Sequence, residues 1–419
     1  MADRRSALPR TAIEALSRTA EALLVNTSET ASLALAELLI RRYRALKPDE
    51  RLEFLTFLLR ELGPSRPAVD LAIDAYRMDR SDESLTRLFQ AAEPRRQALF
   101  RSINMAPGGT WTVLSMRSDV LAALGDRPEL APVEADLMHV LSSWFNRGFI
   151  VLERINWRSP GAVLERLIDY EAVHEIRGWN DLRRRLEVDR RCFGFFHPAI
   201  ADEPLIFIEV ALTHGLAPSI QELLDAPLPD DDGPPPDTAT FYSITNCQSG
   251  LRGIQFGNFL IKQVVHELAA ESPTLTQFAT LSPVPGFARW LDGARRSGAL
   301  PDQDQSVLEM LEDRSWPEDP SRAEALLPVL VRTCAHYLVN VKHGKQPADS
   351  VARFHLRNGA RLERINWLGD TSFNGMRQSH GLLVNYVYDE SHIDQNHEAY
   401  LHEGVVAHSE GITRLLNGE

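Results

Sequence analysis

Gln248-Ser249-Gly250-Leu251-Arg252-Gly253-Ile254-Gln255-Phe256-Gly257-Asn258-Phe259-Leu260-Ile261 is the stretch whose reading decides the fold. It comes after a short apolar run that ends near Thr245, and it leads into a run with helical spacing. Its glycines let a backbone approach a ligand closely. A helix N-terminus behind them offers free N–H groups and partial positive charge to an anion such as a diphosphate. Neither Gly-x-Gly-x-x-Gly nor a Walker lysine motif is present, which disfavours a Rossmann or P-loop nucleotide site. A strand-to-helix turn with no ligand is the plain alternative.

Outward from this stretch the chain divides into two characters. Residues 1–145 read as helix after helix. Leu52, Leu55, Leu58, Leu59 and Leu62 share one face of a run opened by Pro48 and closed by Gly63-Pro64. Similar spacing recurs at 31–46, 68–76, 85–91 and 133–145. From residue 146 onward, short apolar runs at 149–152, 192–196, 205–212, 240–244 and 278–281 predict strands. Helical runs at 161–170, 219–225, 257–270 and 286–296 alternate with them, so the second part predicts a mixed α/β domain in an α+β chain. Residues 226–238, with Asp230-Asp231-Asp232, predict a solvated loop. Residues 300–345 return to helical, acidic character, and the last part adds strands, one at 381–388, and a closing helix. Leu-Glu-Arg-Ile-Asn-Trp occurs at 152–157 and at 362–367, but the flanks do not repeat. Two similarly built strands, or coincidence, explain it better than duplication.

Composition narrows the function. A chain of 419 residues with 44% hydrophobic residues can bury more than one core. A net charge of −13 makes nucleic acid and anionic membranes poor partners. Cys192, Cys247 and Cys334 are far apart and odd in number, which argues against a disulfide framework or a zinc site and suits a reducing cytoplasm. No run approaches the ~20 apolar residues of a membrane span. The N-terminal segment lacks an apolar signal region and carries Glu14, Glu21 and Glu29; the C-terminal residues spell no targeting or lipidation signal.

Two further segments carry chemistry. In Leu281-Ser282-Pro283-Val284-Pro285-Gly286-Phe287 a serine ends a strand and two prolines stiffen the residues after it. That fixes a hydroxyl at the carboxyl end of a sheet, where α/β proteins bind ligands. It is no nucleophile elbow, since Gly-x-Ser-x-Gly is absent. In Phe354-His355-Leu356-Arg357-Asn358-Gly359-Ala360 a histidine lies between apolar neighbours ahead of an Asn-Gly turn. Read singly, a Ser-Pro turn and a satisfied core histidine describe both segments. His392, His397 and His402 lie roughly 140° apart on a helix and do not converge on a metal. Arg183-Arg184-Arg185 and Arg190-Arg191 could reach phosphates, but as a rule such runs are exposed helix faces.

The pattern Arg252-Gly253-x-x-Phe256-Gly257-x-x-Leu260-Ile261 resembles the acyl-CoA pyrophosphate loop of the GNAT acyltransferases, with Gln255 in place of their middle glycine. Taken with the Ser282 and His355 segments, Leu141-Ser142-Ser143-Trp144-Phe145, Arg190-Arg191-Cys192, Phe241-Tyr242-Ser243-Ile244, Asn340-Val341-Lys342-His343 and Arg364-Ile365-Asn366-Trp367, the chain resembles the malonyl-CoA decarboxylase family from about residue 116 to 388. The resemblance implies a helical oligomerisation domain over 1–145 and a GNAT-like catalytic domain over 146–419. It implies Ser282 and His355 as the active-site pair. It also implies Arg252, Gly253, Ile254, Gln255, Phe256, Gly257 and Asn258 as residues that hold the CoA moiety, and a homotetramer.

Such a reaction cleaves a C–C bond and leaves a thioester enolate that must take a proton. It needs no metal or organic cofactor, because the thioester carbonyl is the electron sink. The protein must orient the carboxylate, stabilise the oxyanion and supply the proton. His355 suits the general acid, with both its protonation states accessible near neutral pH, and Ser282 its hydrogen-bonding partner. Asn385 and Tyr386 are candidates to line the pocket. A GNAT-type N-acyltransferase shares the loop and is the competing reading; a CoA-dependent sensor is the non-enzymatic one.

Overall fold

A computed structural model of the chain describes residues 11–200, 202–229, 233–254 and 259–418. Gln255, Phe256, Gly257 and Asn258 of the expected CoA loop, and Asp230-Asp231-Asp232, lie outside the described residues.

The chain forms two units. The first comprises residues up to 151 with 196–205 and 248–256; the second comprises 152–195, 206–247 and 257–419. The first unit is helical: α1 (Ala12–Val25), α2 (Glu29–Ala45), α3 (Pro48–Glu61), α4 (Arg66–Met78), α5 (Asp82–Ala92), α6 (Arg95–Asn104), α7 (Gly109–Ala123) and α8 (Ala131–Trp144). The leucine face of α3 is buried, with Leu55, Leu58 and Leu62 at most 1% exposed. The helix starts where the Glu50 carboxylate accepts the Lys47 N–H at 2.8 Å, with Pro48 at the first helical position. A buried ion pair ties α6 to α8: Arg96 Nε lies 2.5 Å from Asp136 Oδ2, while Gln97 donates to Oδ1 at 2.6 Å.

The second unit carries the sheet. Its elements run β1 (Val151–Ile155), α9 (Gly161–Tyr170), α10 (Trp179–Arg185), β2 (Arg190–Phe196), β3 (Ile206–Thr213), α11 (Ile220–Asp225), β4 (Thr238–Asn246), α12 (Phe259–Glu271), β5 (Gln277–Thr280) and β6 (Ser282–Pro283). They continue with α13 (Phe287–Ser297), α14 (Asp302–Leu308), α15 (Pro320–Asn340), a small hairpin of β7 (Lys342–His343) and β8 (Gln346–Pro347), and α16 (Ser350–Arg357). The chain closes with β9 (Arg361–Asn366), α17 (Phe373–Ser379), β10 (Leu383–Val387), α18 (Ile393–Glu403) and α19 (Glu410–Asn417). The sheet order is β1-β2-β3-β4-β5-β10-β6, with β9 also on β10. β2, β3 and β4 pair antiparallel, whereas β4 and β5 are parallel and joined through α12. A helical part followed by a mixed sheet is the expected fold class. The repeated hexapeptide falls mainly on β1 and β9, two strands at opposite parts of the sheet. No helix among the described residues is long and apolar enough to cross a membrane.

Two expectations need correction. Asn358-Gly359 is no hairpin turn: it ends α16, with Asn358 at the cap and Gly359 at φ +83°. Asn-Gly suits a helix C-terminus as well as a hairpin, because both need a positive φ. Arg185 is not on an exposed face: it is 2% exposed and bonded to Glu209 and Asp181. Arg184 and Arg190 share Asp189, and Arg191 takes Glu271.

Candidate active site

β10 organises the site. Val384 is registered opposite Ser282 and Leu383 opposite Pro283 in β6, and Val387 is opposite Ala279 in β5. The Tyr386 N–H donates to Thr280 Oγ1 at 3.2 Å, and Ser282 Oγ donates to the same oxygen at 2.8 Å. Ser282 is thereby held by strand pairing and by a buried threonine.

His355 comes from α16. Its Nε2 lies 3.0 Å from Ser282 Oγ, and its Nδ1 lies 2.8 Å from the Tyr388 hydroxyl. The Tyr386 ring stacks on the imidazole at 4.7 Å with 23° between planes, and Phe354 meets it edge-on. Ser282 and His355 are 5% and 3% exposed, so both were drawn out of water as a pair. Thr280 Oγ1 already receives the fixed Tyr386 N–H and the Ser282 proton. Ser282 Oγ then accepts from His355 Nε2–H, and Nδ1 accepts from the Tyr388 hydroxyl.

Burial pushes the His355 imidazole down to about 3, and no charged group among the described residues offsets that desolvation. The expectation of two accessible protonation states near neutral pH is therefore corrected: the ligand-free imidazole is neutral. Burial likewise pushes the Tyr388 phenol up, so it stays a hydroxyl donor. Tyr388 was missed in the sequence, where nothing ties it to a histidine 33 residues away. Tyr386 does face His355, but Asn385 is spent on scaffolding. Its amide donates to the carbonyls of Thr280 and Ala217, and its oxygen accepts from Asn366 and Arg364.

In the helical unit, residues 249–251 form a single 3-10 turn. Arg117, 2% exposed, donates to the carbonyls of Gly250 at 2.5 Å and Arg252 at 2.7 Å, and pairs with Glu134 at 2.7 Å. Gly253 has φ +81°, a conformation glycine adopts without strain, Arg252 is exposed and Ile254 is buried. His392 binds Asp389 and His397 binds the Arg357 carbonyl.

Residues 148–419 match the sequence model of the malonyl-CoA decarboxylase C-terminal domain, and residues 62–145 match that of the N-terminal domain. The chain belongs to the malonyl-CoA decarboxylase family. The mitochondrial malonyl-CoA decarboxylase of Anser anser anser is 36% identical over 414 residues, covering 90% of this chain and 82% of that protein. That of Rattus norvegicus is 36% identical over 363 residues, covering 79% and 73%. The crystal structure of malonyl-CoA decarboxylase from Rhodopseudomonas palustris superposes with a TM-score of 0.91 at 47% identity, covering 96% of this chain and 100% of that one. The Cupriavidus metallidurans structure gives 0.74 at 34%, covering 97% and 100%. A malonyl-CoA decarboxylase is a carboxy-lyase, which directs attention to groups able to deliver one proton.

Proposed function

We propose that this chain converts malonyl-CoA to acetyl-CoA and CO2, with His355 as general acid and Ser282 as its hydrogen-bonding partner. The observation that supports the assignment is the 3.0 Å contact between Ser282 Oγ and His355 Nε2 in a buried site. The electrons of the broken C–C bond pass into the thioester, giving an enolate, and CO2 leaves. The enolate carbon then takes one proton, so the overall reaction consumes a proton from solvent.

A neutral imidazole cannot supply that proton without becoming an anion. Binding of an anionic carboxylate beside His355 raises the imidazole pKa again. The site thus loads a proton as substrate arrives and returns to neutrality when the enolate takes it. Tyr388 holds Nδ1 and orients the ring throughout. Residues 252–258 are assigned to the CoA moiety, supported by the left-handed Gly253 and by the two Arg117 bonds that fix the turn before it. The helical part is assigned to self-association, as a homotetramer. A reducing cytoplasm is the assigned location, consistent with Cys192, Cys247 and Cys334 being reduced thiols.

The test is incubation with malonyl-CoA alone. Acetyl-CoA and CO2 are expected without any acceptor; acylation of an added amine with no CO2 release would favour N-acyl transfer. His355→Ala is expected to abolish CO2 release while CoA affinity stays within about threefold, since uniform binding is left intact. Turnover like that of the parent would remove His355 from the reaction.

A further inference from the structure

Ser282 and His355 lie on separate segments that one buried carboxylate joins. Asp349 is 1% exposed. Its Oδ1 accepts the N–H groups of Val351 and Ala352, both at 2.9 Å, in the first turn of the helix that carries His355. Its Oδ2 accepts the Gly286 N–H at 3.3 Å. Gly286 is tied to Ser282 by way of Pro283-Val284-Pro285, where two fixed φ angles make the link stiff. There is little slack at Gly286: a Cβ there would sit 2.3 Å from the Tyr337 hydroxyl oxygen.

We propose that Asp349 is a positioning residue that holds Ser282 and His355 in register with one another. The inference rests on the reading of those two residues as the reacting pair. A helix cap needs one oxygen, and a serine supplies it at α5, α11, α17 and α19 of this same chain. A carboxylate adds a second acceptor, and here that acceptor is used on the serine's segment. An asparagine at 349 has one oxygen: it can serve the helix or Gly286, and its NH2 then opposes an N–H at the other. A serine serves the helix and does not span to Gly286.

The experiment is steady-state decarboxylation of malonyl-CoA by D349S and D349N beside H355A, with thermal melting of each protein. D349S is expected to melt within ~4 °C of the parent. Its kcat is expected to fall on the order of 10- to 100-fold, the effect of misplacing reacting groups by a fraction of an ångström to one ångström, with KM within about threefold. D349N is expected to lose kcat in the same way. A role limited to capping predicts the reverse, with turnover restored in D349S along with stability. Parent-like kcat in either variant, or a loss confined to KM, overturns the proposal. Undiminished turnover in H355A would instead overturn the assignment of the pair, so the two failures are told apart.

Discussion

His355 is kept neutral by the same burial that prepares it to respond to an anion. Burial also pushes the His174 imidazole down, to about 4. Both groups bind protons more weakly folded than unfolded, where histidine titrates near 6.5. Their contribution to stability is therefore complete above pH ~6.5 and is lost as pH falls toward the folded values. At pH 5 each buried neutral histidine forfeits about 2 kcal/mol. Denaturant melts between pH 7 and 4.5 are expected to show stability declining with acidity. In His355→Gln the slope below pH 6.5 is expected to shrink by up to about 1.4 kcal/mol per pH unit. An unchanged slope would assign the acid sensitivity to other groups, such as His197 and His380, which burial also lowers.

At the scale of elements, the turn at 249–251 shows how a loop is fixed from below. Arg117 spends its guanidinium on two loop carbonyls and Glu134. Arg117→Leu removes both bonds and leaves a partly buried carboxylate without its cation, a loss of roughly 3 kcal/mol. With residues 252–258 assigned to CoA, KM for malonyl-CoA is expected to rise about tenfold, ~1.4 kcal/mol of binding, with kcat little changed. Equal KM values would detach this turn from substrate binding. Most elements were legible in the sequence because their signals are local: the Gly63-Pro64 stop, the leucine face of α3, the short apolar runs of β2 to β5. What stayed illegible was set by partners distant in sequence. An eight-residue helix such as α16 gives too little periodicity, and Asp349, its cap, looks like any loop aspartate. Ser282 and His355 were singled out by family resemblance; their contact depends on β10 register, which no local pattern encodes. Tyr388 was invisible for the same reason.

At the scale of the molecule, the helical part leaves apolar surface that its own fold does not cover. Helix α4 has no buried residue, and α5 buries only Ser84. The two pack chiefly on each other. Leu71, Met78 and Phe89 are 73%, 91% and 76% exposed, and Leu85 is 48% exposed. A monomeric soluble protein rarely keeps such a group of large apolar side chains in water. Covering them against a second copy of the chain would stabilise an assembly by about 1.5–3 kcal/mol per fully buried side chain. The α4–α5 pair is therefore the surface on which the proposed self-association is best tested. Leu71→Glu with Phe89→Glu puts charge where a partner would bury carbon. Because neither residue packs into its own unit, the fold should lose no more than roughly 0.5 kcal/mol per site. Analytical ultracentrifugation is expected to show the assembly shift to a smaller species at micromolar protein, with melting of the isolated protomer little altered. If the double variant sediments like the parent, assembly uses another face, and these leucine, methionine and phenylalanine side chains need a different partner.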